Sequence, residues 1–261
     1  MGKLIYYYGA MGCSKTANAL MTRFQYESNN RKVWLIKPAI DNRDDITIDN
    51  EHKAIIKSRV GLQAEAYAIA TDENIVETYS KFEADFFDVD VIICDECQFL
   101  TPQQVVQLKQ LSESKNLLIY CYGLRTDFRT DLFPGSAKLF SLADEITQLE
   151  TICECGRPAI VNARFVAGKV TIEGDQVEVG GDDKYKPLCW KCWQKALGKN
   201  KMKKVYVKPV VETIEVKVEK MIAQSVSYEN STEYKGINRF LLDSSKEYLT
   251  YKKIMEINGQ N

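Results

Sequence analysis

The sequence predicts an α/β fold, in which a parallel sheet carries helices on both of its faces and is followed by a small metal-bound β domain. Over the first 150 residues, short segments rich in Val, Ile and Tyr alternate with helical patterns, which is the signature of βαβ units. Beyond residue 151 the alternation gives way to glycines and two close pairs of cysteines. A chain of 261 residues is long enough for both parts to bury a core.

The individual elements follow from local signals. The first strand is predicted over residues 4–8, a run of Leu, Ile and three tyrosines. Thr101, Pro102 and Gln104 supply an N-cap, a proline at the first helical position and a capping-box side chain, which predict a helix over residues 102–114. The remaining elements are helices over residues 16–27 and 72–86 and strands over residues 32–37, 89–94, 116–124 and 145–149.

The turn after the first strand has the pattern of a phosphate-binding loop. It reads GAMGCSKT and matches G-x-x-x-x-G-K-[ST], the Walker A pattern, at Gly9, Lys15 and Thr16, with Ser14 in place of the second glycine. In such a loop the backbone N–H groups hold phosphates, the lysine reaches the outer phosphates and the hydroxyl binds Mg²⁺. A strand–helix turn without a ligand is the alternative. The candidate nucleotide ligands are Gly9, Ala10, Met11, Gly12, Cys13, Ser14, Lys15 and Thr16.

A second element follows the strand over residues 89–94, which ends in Asp95 and Glu96. An aspartate in this position would hold Mg²⁺, directly or through water, and the adjacent glutamate could act as a general base. Two solvated carboxylates at a strand end are the alternative. Because the two elements occur together and in the expected order, they favour a P-loop nucleotide site.

Composition excludes several classes of function. The net charge of −1 provides no overall basic field, so no nucleic-acid partner is expected. No apolar run approaches the length of a membrane span, and the N-terminus has no signal-peptide pattern, so we expect a cytoplasmic protein with no membrane partner. The single histidine, His52, argues against Ser-His-Asp hydrolases and multi-histidine metal sites.

Cysteine spacing predicts a structural zinc site. Four of the eight cysteines form two close pairs, Cys153/Cys155 and Cys189/Cys192, which in a chain without a secretory signal favours metal over disulfides. Four thiolates fill the tetrahedral coordination of Zn²⁺ and leave no open position for catalysis. Buried free cysteines are the alternative. The other four are predicted to be packing residues: Cys13, Cys94, Cys97 and Cys121.

Several longer motifs occur in order along residues 2–193. They are the modified phosphate loop, KPAIDNR (37–43), DECQFL (95–100), YGLRTDFR (122–129), FPGS (133–136) and VEVGGDDKY (177–185) leading to Cys189. Together they resemble the type II, zinc-containing thymidine kinases. The resemblance implies transfer of the γ-phosphoryl group of ATP to the 5′-hydroxyl of thymidine, with deoxyuridine as a second possible acceptor.

The resemblance also implies roles for individual residues. Lys15 and the loop amides bind the phosphates of ATP, Thr16 and Asp95 organise Mg²⁺, and Glu96 accepts the proton of the substrate hydroxyl. Further residues of the ATP site are Asp41, Asn42, Arg43 and Gln98. The residues implied for thymidine are Phe128, Gln176, Val177, Glu178, Val179, Gly180 and Tyr185, most of them in a lasso-like loop whose ends the structural Zn²⁺ pins.

On the same ground we expect a P-loop, RecA-like kinase domain over residues 1–150, a zinc-bound lasso domain over residues 151–194, and a C-terminal extension without an assigned role over residues 195–261. A homotetramer inhibited by thymidine triphosphate, acting in deoxynucleoside salvage for DNA synthesis, is also implied. Two alternatives stay open. Ser14 is compatible with a non-catalytic nucleotide-binding relative, and six lysines without an acid over residues 195–208 with a nucleic-acid-binding ATPase, although solvated charge accounts for that run.

Overall fold

A seven-stranded sheet forms the frame of the molecule. The computed structural model describes residues 1–39, 52–86, 89–176 and 184–198. The strands of the sheet are β1 (Lys3–Tyr8), β2 (Val33–Pro38), β3 (Lys53–Lys57), β4 (Gln63–Ile69), β5 (Val91–Cys94), β6 (Leu118–Gly123) and β7 (Glu145–Gln148). The helices that pack on it are α1 (Lys15–Glu27), α2 (Ile75–Phe86), α3 (Pro102–Ser114) and α4 (Pro134–Leu142).

The strand order is β3-β4-β2-β5-β6-β1-β7, and every neighbouring pair is parallel except β3 and β4. The predicted parallel sheet is therefore confirmed for all five of its predicted strands, β1, β2, β5, β6 and β7. The antiparallel β3–β4 hairpin extends one edge and was not predicted. Since β1, β5 and β6 are parallel, their carboxyl ends meet at one edge of the sheet, where ligands of open α/β sheets bind.

The two faces of the sheet bury separate apolar clusters. Alternate residues of each strand point to opposite faces, so Tyr6 packs with helices α2, α3 and α4, whereas Tyr7 packs on the face of α1. On the first face Trp34 of β2 is almost fully buried and stacks on Phe82 with the ring centroids 5.3 Å apart. Helices cover both faces, as the sequence predicts.

Helix α3 begins as its sequence predicts. The hydroxyl of Thr101 accepts a hydrogen bond from the backbone N–H of Gln104, the Gln104 side chain accepts one from the N–H of Thr101, and Pro102 occupies the first turn. The Gln104 amide also donates to the carbonyl of Ala70 at 2.8 Å. The same side chain therefore caps α3 and fixes the loop after β4.

A smaller sheet and one helix follow the main sheet, and we call the described part of this region, residues 151–176 and 184–198, the small lobe. Its strands are β8 (Val161–Val166), β9 (Lys169–Thr171) and β10 (Tyr185–Leu188), in the antiparallel order β10-β8-β9, and its helix is α5 (Trp190–Ala196). Its own core includes Val161 and Trp193, and the Trp193 ring lies 5.0 Å from that of Trp190. Among the described residues, no helix is long and apolar enough to cross a membrane.

Candidate active site

The loop between β1 and α1 borders a cleft of about 240 Å³ at the carboxyl edge of the main sheet. Backbone and side chains of Gly12, Ser14, Lys15 and Thr16 form one wall, and Asp95 and Glu96 contribute to another. The two sequence elements identified for nucleotide binding thus line the same cleft. The loop precedes a helix N-terminus, which favours an anionic ligand at this point.

Ser14 keeps the backbone conformation of the glycine that it replaces. Its φ and ψ are 61° and 29°, in the left-handed region, and its carbonyl accepts hydrogen bonds from both the backbone and the side chain of Asn18. For a residue with a β-carbon this conformation costs about 1–2 kcal/mol. Ser14 therefore stores strain in an otherwise regular Walker A turn.

We expect Ser14→Gly to raise the free energy of unfolding by about 0.5–1 kcal/mol, because relief of the strain exceeds the entropy that glycine adds to the unfolded chain. ATP binding should tighten several-fold, measured as a dissociation constant by calorimetry. Ala167→Gly is the matched control, because Ala167 also has a positive φ, 48°, in an exposed turn of the small lobe. It should stabilise the protein without changing ATP affinity. Weaker ATP binding in Ser14→Gly would mean that the serine hydroxyl itself donates to a phosphate.

The ammonium group of Lys15 lies against the loop. Its Nζ donates to the carbonyl of Ala10 at 2.9 Å and lies 3.4 Å from the carbonyl of Gly9 and from Sγ of Cys13. The backbone N–H of Met11 is taken by a different partner, since it donates to Oδ1 of Asn162 at 2.8 Å. The hydrogen bond from Met11 to Asn162 thus holds the phosphate loop against β8.

Asp95 directly follows β5 and is buried, and the partly buried Thr16 lines the same cleft. The Thr16 hydroxyl favours the ionised form of the Asp95 carboxyl group, whereas Oδ1 of Asp95 has no hydrogen-bond partner among the described residues. Burial, and secondarily the charge of Glu96, raises the pKa of Asp95 to about 7. A buried carboxylate oxygen without a partner, beside a hydroxyl, fits a hard cation such as Mg²⁺.

Glu96 also has a positive φ, 49°, and its side chain is held by Gln98. Nε2 of Gln98 donates to Oε2 of Glu96 at 2.6 Å, and Oε1 of Gln98 accepts from the backbone N–H of Leu124 at 2.9 Å. Gln98, which the resemblance predicts as an ATP ligand, is almost fully buried. Its two hydrogen bonds hold the Glu96 carboxylate beside the end of β6. Strain and a short hydrogen bond fix this carboxylate at the cleft.

The residues proposed for the nucleoside lie on the side of the small lobe. Phe128 is buried, with the guanidinium carbon of Arg164 4.5 Å from its ring centroid, and the same guanidinium lies 5.7 Å from the ring of Tyr185. Gln176 donates to Asp127 at 3.2 Å. The structure therefore brings three predicted residues to one region. Other predicted site residues lie outside the described residues: Asp41, Asn42, Arg43, Val177, Glu178, Val179 and Gly180.

Four cysteine sulfurs of the small lobe meet in one cluster: Cys153, Cys155, Cys189 and Cys192. All four lie within 4.8 Å of one another, and the sulfurs of Cys155 and Cys189 are 3.6 Å apart. Thiolates at about 2.3 Å from a tetrahedral Zn²⁺ would be about 3.8 Å apart, so the cluster can hold zinc. The Arg157 guanidinium lowers the pKa of Cys155 to about 6, which favours the thiolate that a metal needs.

Sequence reasoning missed two contributors to this region. The turn of the β3–β4 hairpin brings Arg59 to the cleft, where a guanidinium nitrogen lies 3.9 Å from the place a β-carbon on Gly12 would take. Asn162 enters from β8 and contacts the phosphate loop. The signal for Asn162 was present, because it is the one amide in the apolar run AIVNARFV, and a polar side chain in a buried strand needs partners.

Comparison with known proteins agrees with this geometry. A model of the thymidine kinase family matches residues 2–193. The chain is 39% identical to the thymidine kinase of Legionella pneumophila (strain Paris) over 190 residues, which are 72% of this chain and 88% of that protein. It is 37% identical to the thymidine kinase of Photobacterium profundum over 200 residues, 76% of this chain and 100% of that protein. The thymidine kinase of Chromobacterium violaceum is 38% identical over 195 residues, 74% and 98% of the two chains.

Proposed function

The chain belongs to the thymidine kinase family and is a phosphotransferase, and we propose that it is an ATP:thymidine 5′-phosphotransferase. One observation of the site supports the proposal most directly: the phosphate loop, Asp95 and Glu96 line one cleft. A donor phosphate on the loop and an acceptor hydroxyl at Glu96 would therefore be neighbours. Phosphoryl transfer depends mainly on such positioning and on charge neutralisation.

We assign the steps to the residues as follows. The loop N–H groups and Lys15 bind the outer phosphates, so Lys15 leaves the Gly9 and Ala10 carbonyls when ATP arrives. Thr16 and Asp95 would hold Mg²⁺, which would supply positive charge to the phosphates. The oxygen of the 5′-hydroxyl attacks the γ-phosphorus, Glu96 accepts the proton of that hydroxyl, and ADP departs.

The nucleoside is proposed to lie between Phe128 and the lasso-like loop that includes Gln176, Val177–Gly180 and Tyr185. Support comes from Arg164, which joins Phe128, Tyr185 and the backbone of Asp175, the last by a 3.0 Å hydrogen bond. Asp41, Asn42 and Arg43 stay predicted contributors to the ATP site. We also propose that the cysteine cluster holds a structural Zn²⁺ and that it steadies the ends of this loop.

The proposal extends to the wider role of the protein. We propose a cytoplasmic homotetramer that acts in deoxynucleoside salvage for DNA synthesis and is inhibited by thymidine triphosphate, as the family resemblance implies. The domain bounds, 1–150, 151–194 and an extension over 195–261, are proposed on the same basis. The family match ends at residue 193, so it does not extend to the tail beyond.

Asp95 gives the proposed Mg²⁺ site a characteristic pH dependence. Its pKa in the folded protein, about 7, lies above the ordinary value of 3.8, so folding favours its protonated form. Without Mg²⁺, stability should fall as pH rises from about 4 to 7, by at most about 1.4 kcal/mol per pH unit. Mg²⁺ requires the deprotonated carboxylate, so we expect it to raise the Tm more at pH 8 than at pH 6.

The measurement is differential scanning calorimetry with Mg²⁺ and with EDTA at the two pH values. Asp95→Asn is the control, because an amide neither titrates nor attracts the cation strongly, and both effects should disappear. An equal Mg²⁺-induced shift in Tm at pH 6 and pH 8 would contradict the assignment of Asp95.

The activity is tested with ATP, Mg²⁺ and a panel of deoxynucleosides, with the products identified by mass. Thymidylate is the expected product, and deoxyuridylate in the same assay would define the selectivity. ATP binding without any nucleotide product, in protein that is folded and contains zinc, would favour the non-catalytic relative. DNA binding that weakens steeply with salt would favour the nucleic-acid-binding ATPase.

A further inference from the structure

We propose that Asn162 is a positioning residue that couples the phosphate loop to the small lobe, so that the binding of ATP and the binding of the nucleoside strengthen each other. The inference rests on the proposed function, which places ATP on the loop and the nucleoside beside the small lobe. It concerns one side chain on β8 that hydrogen-bonds to both regions.

The contacts of Asn162 join three separate parts of the chain. Oδ1 accepts a hydrogen bond from the N–H of Met11 in the phosphate loop at 2.8 Å, and Nδ2 donates to the carbonyl of Thr126 at 3.0 Å. The two partners require opposite ends of the amide, which fixes its orientation. With 3% of its surface exposed, Asn162 makes these bonds out of contact with bulk water. The bonds are therefore costly to break.

The hydrogen bond from Asn162 to Thr126 connects to the region proposed for the nucleoside. Thr126 pairs with Leu132 and closes a short loop, inside which Oδ1 of Asp127 accepts from the N–H groups of Arg129 and Asp131. The other oxygen of Asp127 accepts from Gln176. A displacement of the small lobe therefore moves this loop through two side chains, Asn162 and Gln176.

The Met11 end leads to the phosphates. Because its N–H donates to Asn162, Met11 holds the start of the turn whose following residues Gly12, Ser14 and Lys15 line the cleft. If ATP orders this turn, it also orders Asn162 and the lobe behind it. The later binding of thymidine then loses less conformational entropy, and by linkage the same factor applies to ATP when thymidine binds first.

The test measures this linkage at equilibrium. Thymidine dissociation constants are determined by calorimetry with and without a non-hydrolysable ATP analogue and Mg²⁺, and their ratio is the coupling factor. For the wild type we expect a ratio of about 5 or more, the usual lower range of such couplings. In Asn162→Leu, which keeps the size and removes both bonds, the ratio should approach 1.

Two further variants make the result specific. Val161→Ala, on the same strand, removes apolar volume from the core of the small lobe. It should lower the Tm and the zinc content about as much as Asn162→Leu does, and it should leave the coupling ratio unchanged. Asn162→Asp keeps the acceptor for Met11 and loses the donor to Thr126, and it replaces Asn162→Leu if that variant does not fold. Its charge weakens ATP binding with or without thymidine, so the ratio still isolates the bridge, and it should lie between 1 and the wild-type value.

A wild-type ratio near 1, or an unchanged ratio in folded Asn162→Leu, would overturn the inference and leave the proposed function intact. A wild-type protein that fails to bind thymidine at all would overturn the proposed function, and the coupling with it. An equal change of the ratio in Val161→Ala would assign the effect to lobe stability and would also overturn the role of Asn162.

Discussion

Glu96→Gln should lower the turnover number by about 10²–10⁴-fold, because it removes the group that accepts the proton of the attacking hydroxyl. Glutamine has the same size and retains an oxygen to accept from Gln98, so the arrangement at the end of β6 should persist. The dissociation constants of ATP and thymidine should change by no more than several-fold. The effect is read by steady-state kinetics for turnover and by calorimetry for the two ligands.

Glu73→Gln provides the matched control. Glu73 is a hydrogen-bonded carboxylate outside the cleft, where it accepts from Tyr67, Thr78 and the N–H of Ala70. Its replacement should lower the Tm and leave turnover within a few-fold of the wild type. If Glu96→Gln keeps most of the wild-type turnover, Glu96 is not the proton acceptor.

Cys192→Ser should abolish zinc binding and weaken thymidine binding about 30-fold or more, while ATP affinity, measured without thymidine, stays nearly unchanged. The cluster joins the start of the small lobe to the turn between β10 and α5, and on this basis we propose that the metal steadies the ends of the lasso-like loop over residues 176–185. Without the metal this stretch must be ordered when the nucleoside binds, at a cost of about 2–5 kcal/mol. Apart from the bond from Met11 to Asn162, the phosphate loop is held by contacts within itself and α1, such as Lys15 to Ala10 and Asn18 to Ser14, which do not involve the metal.

Zinc is measured by elemental analysis of protein purified without chelators, and the two affinities by calorimetry. Cys94→Ala is the control, since Cys94 is a buried cysteine of β5 outside the cluster and its loss should reduce stability while one zinc per chain remains. Wild-type protein without zinc would defeat the assignment of the site. Equal loss of both affinities in Cys192→Ser would indicate global unfolding and not a local effect on the nucleoside loop.

Where local signals were strong, the sequence was sufficient to predict the fold. The cap of α3 is confirmed atom by atom at Thr101 and Gln104, because capping involves residues three apart in the chain. The β3–β4 hairpin was missed because β4 contains three alanines and a glutamate, which are weak strand formers. Its stability comes from tertiary packing, in which Ile56 and Ala66 meet Ala19 and Leu20 of α1.

Helix α4 was also missed, and the reason is visible at Gly135. Its motif FPGS was used only for the family resemblance; in the structure Pro134 takes the first helical position, and a β-carbon on Gly135 would be 2.6 Å from the carbonyl oxygen of Leu100. Glycine here serves close packing of α4 on the turn before α3. A requirement of this kind arises from two elements that are distant in the chain, so a local pattern cannot reveal it.

The same distinction applies to the site. Phosphate-loop residues, Asp95 with Glu96, and the four clustered cysteines were predicted because each set is defined by spacing within a short segment. Gln98 was predicted as an ATP ligand, and its contact with Glu96 only became visible in three dimensions. Asn162 bonds a residue 151 positions away, which no spacing rule could anticipate.

The placement of the three tryptophans has an optical consequence. Trp34 lies in the core of the main sheet, whereas Trp190 and Trp193 lie on α5, which begins directly after Cys189 and contains Cys192. Of the α5 pair, Trp193 is buried and Trp190 is half exposed. Intrinsic fluorescence therefore samples both cores of the chain. Removal of the metal alone would shift only the emission of Trp190 and Trp193 to longer wavelength. A complete red shift would require Trp34 to reach water as well. One emission spectrum therefore distinguishes local unfolding around α5 from global unfolding.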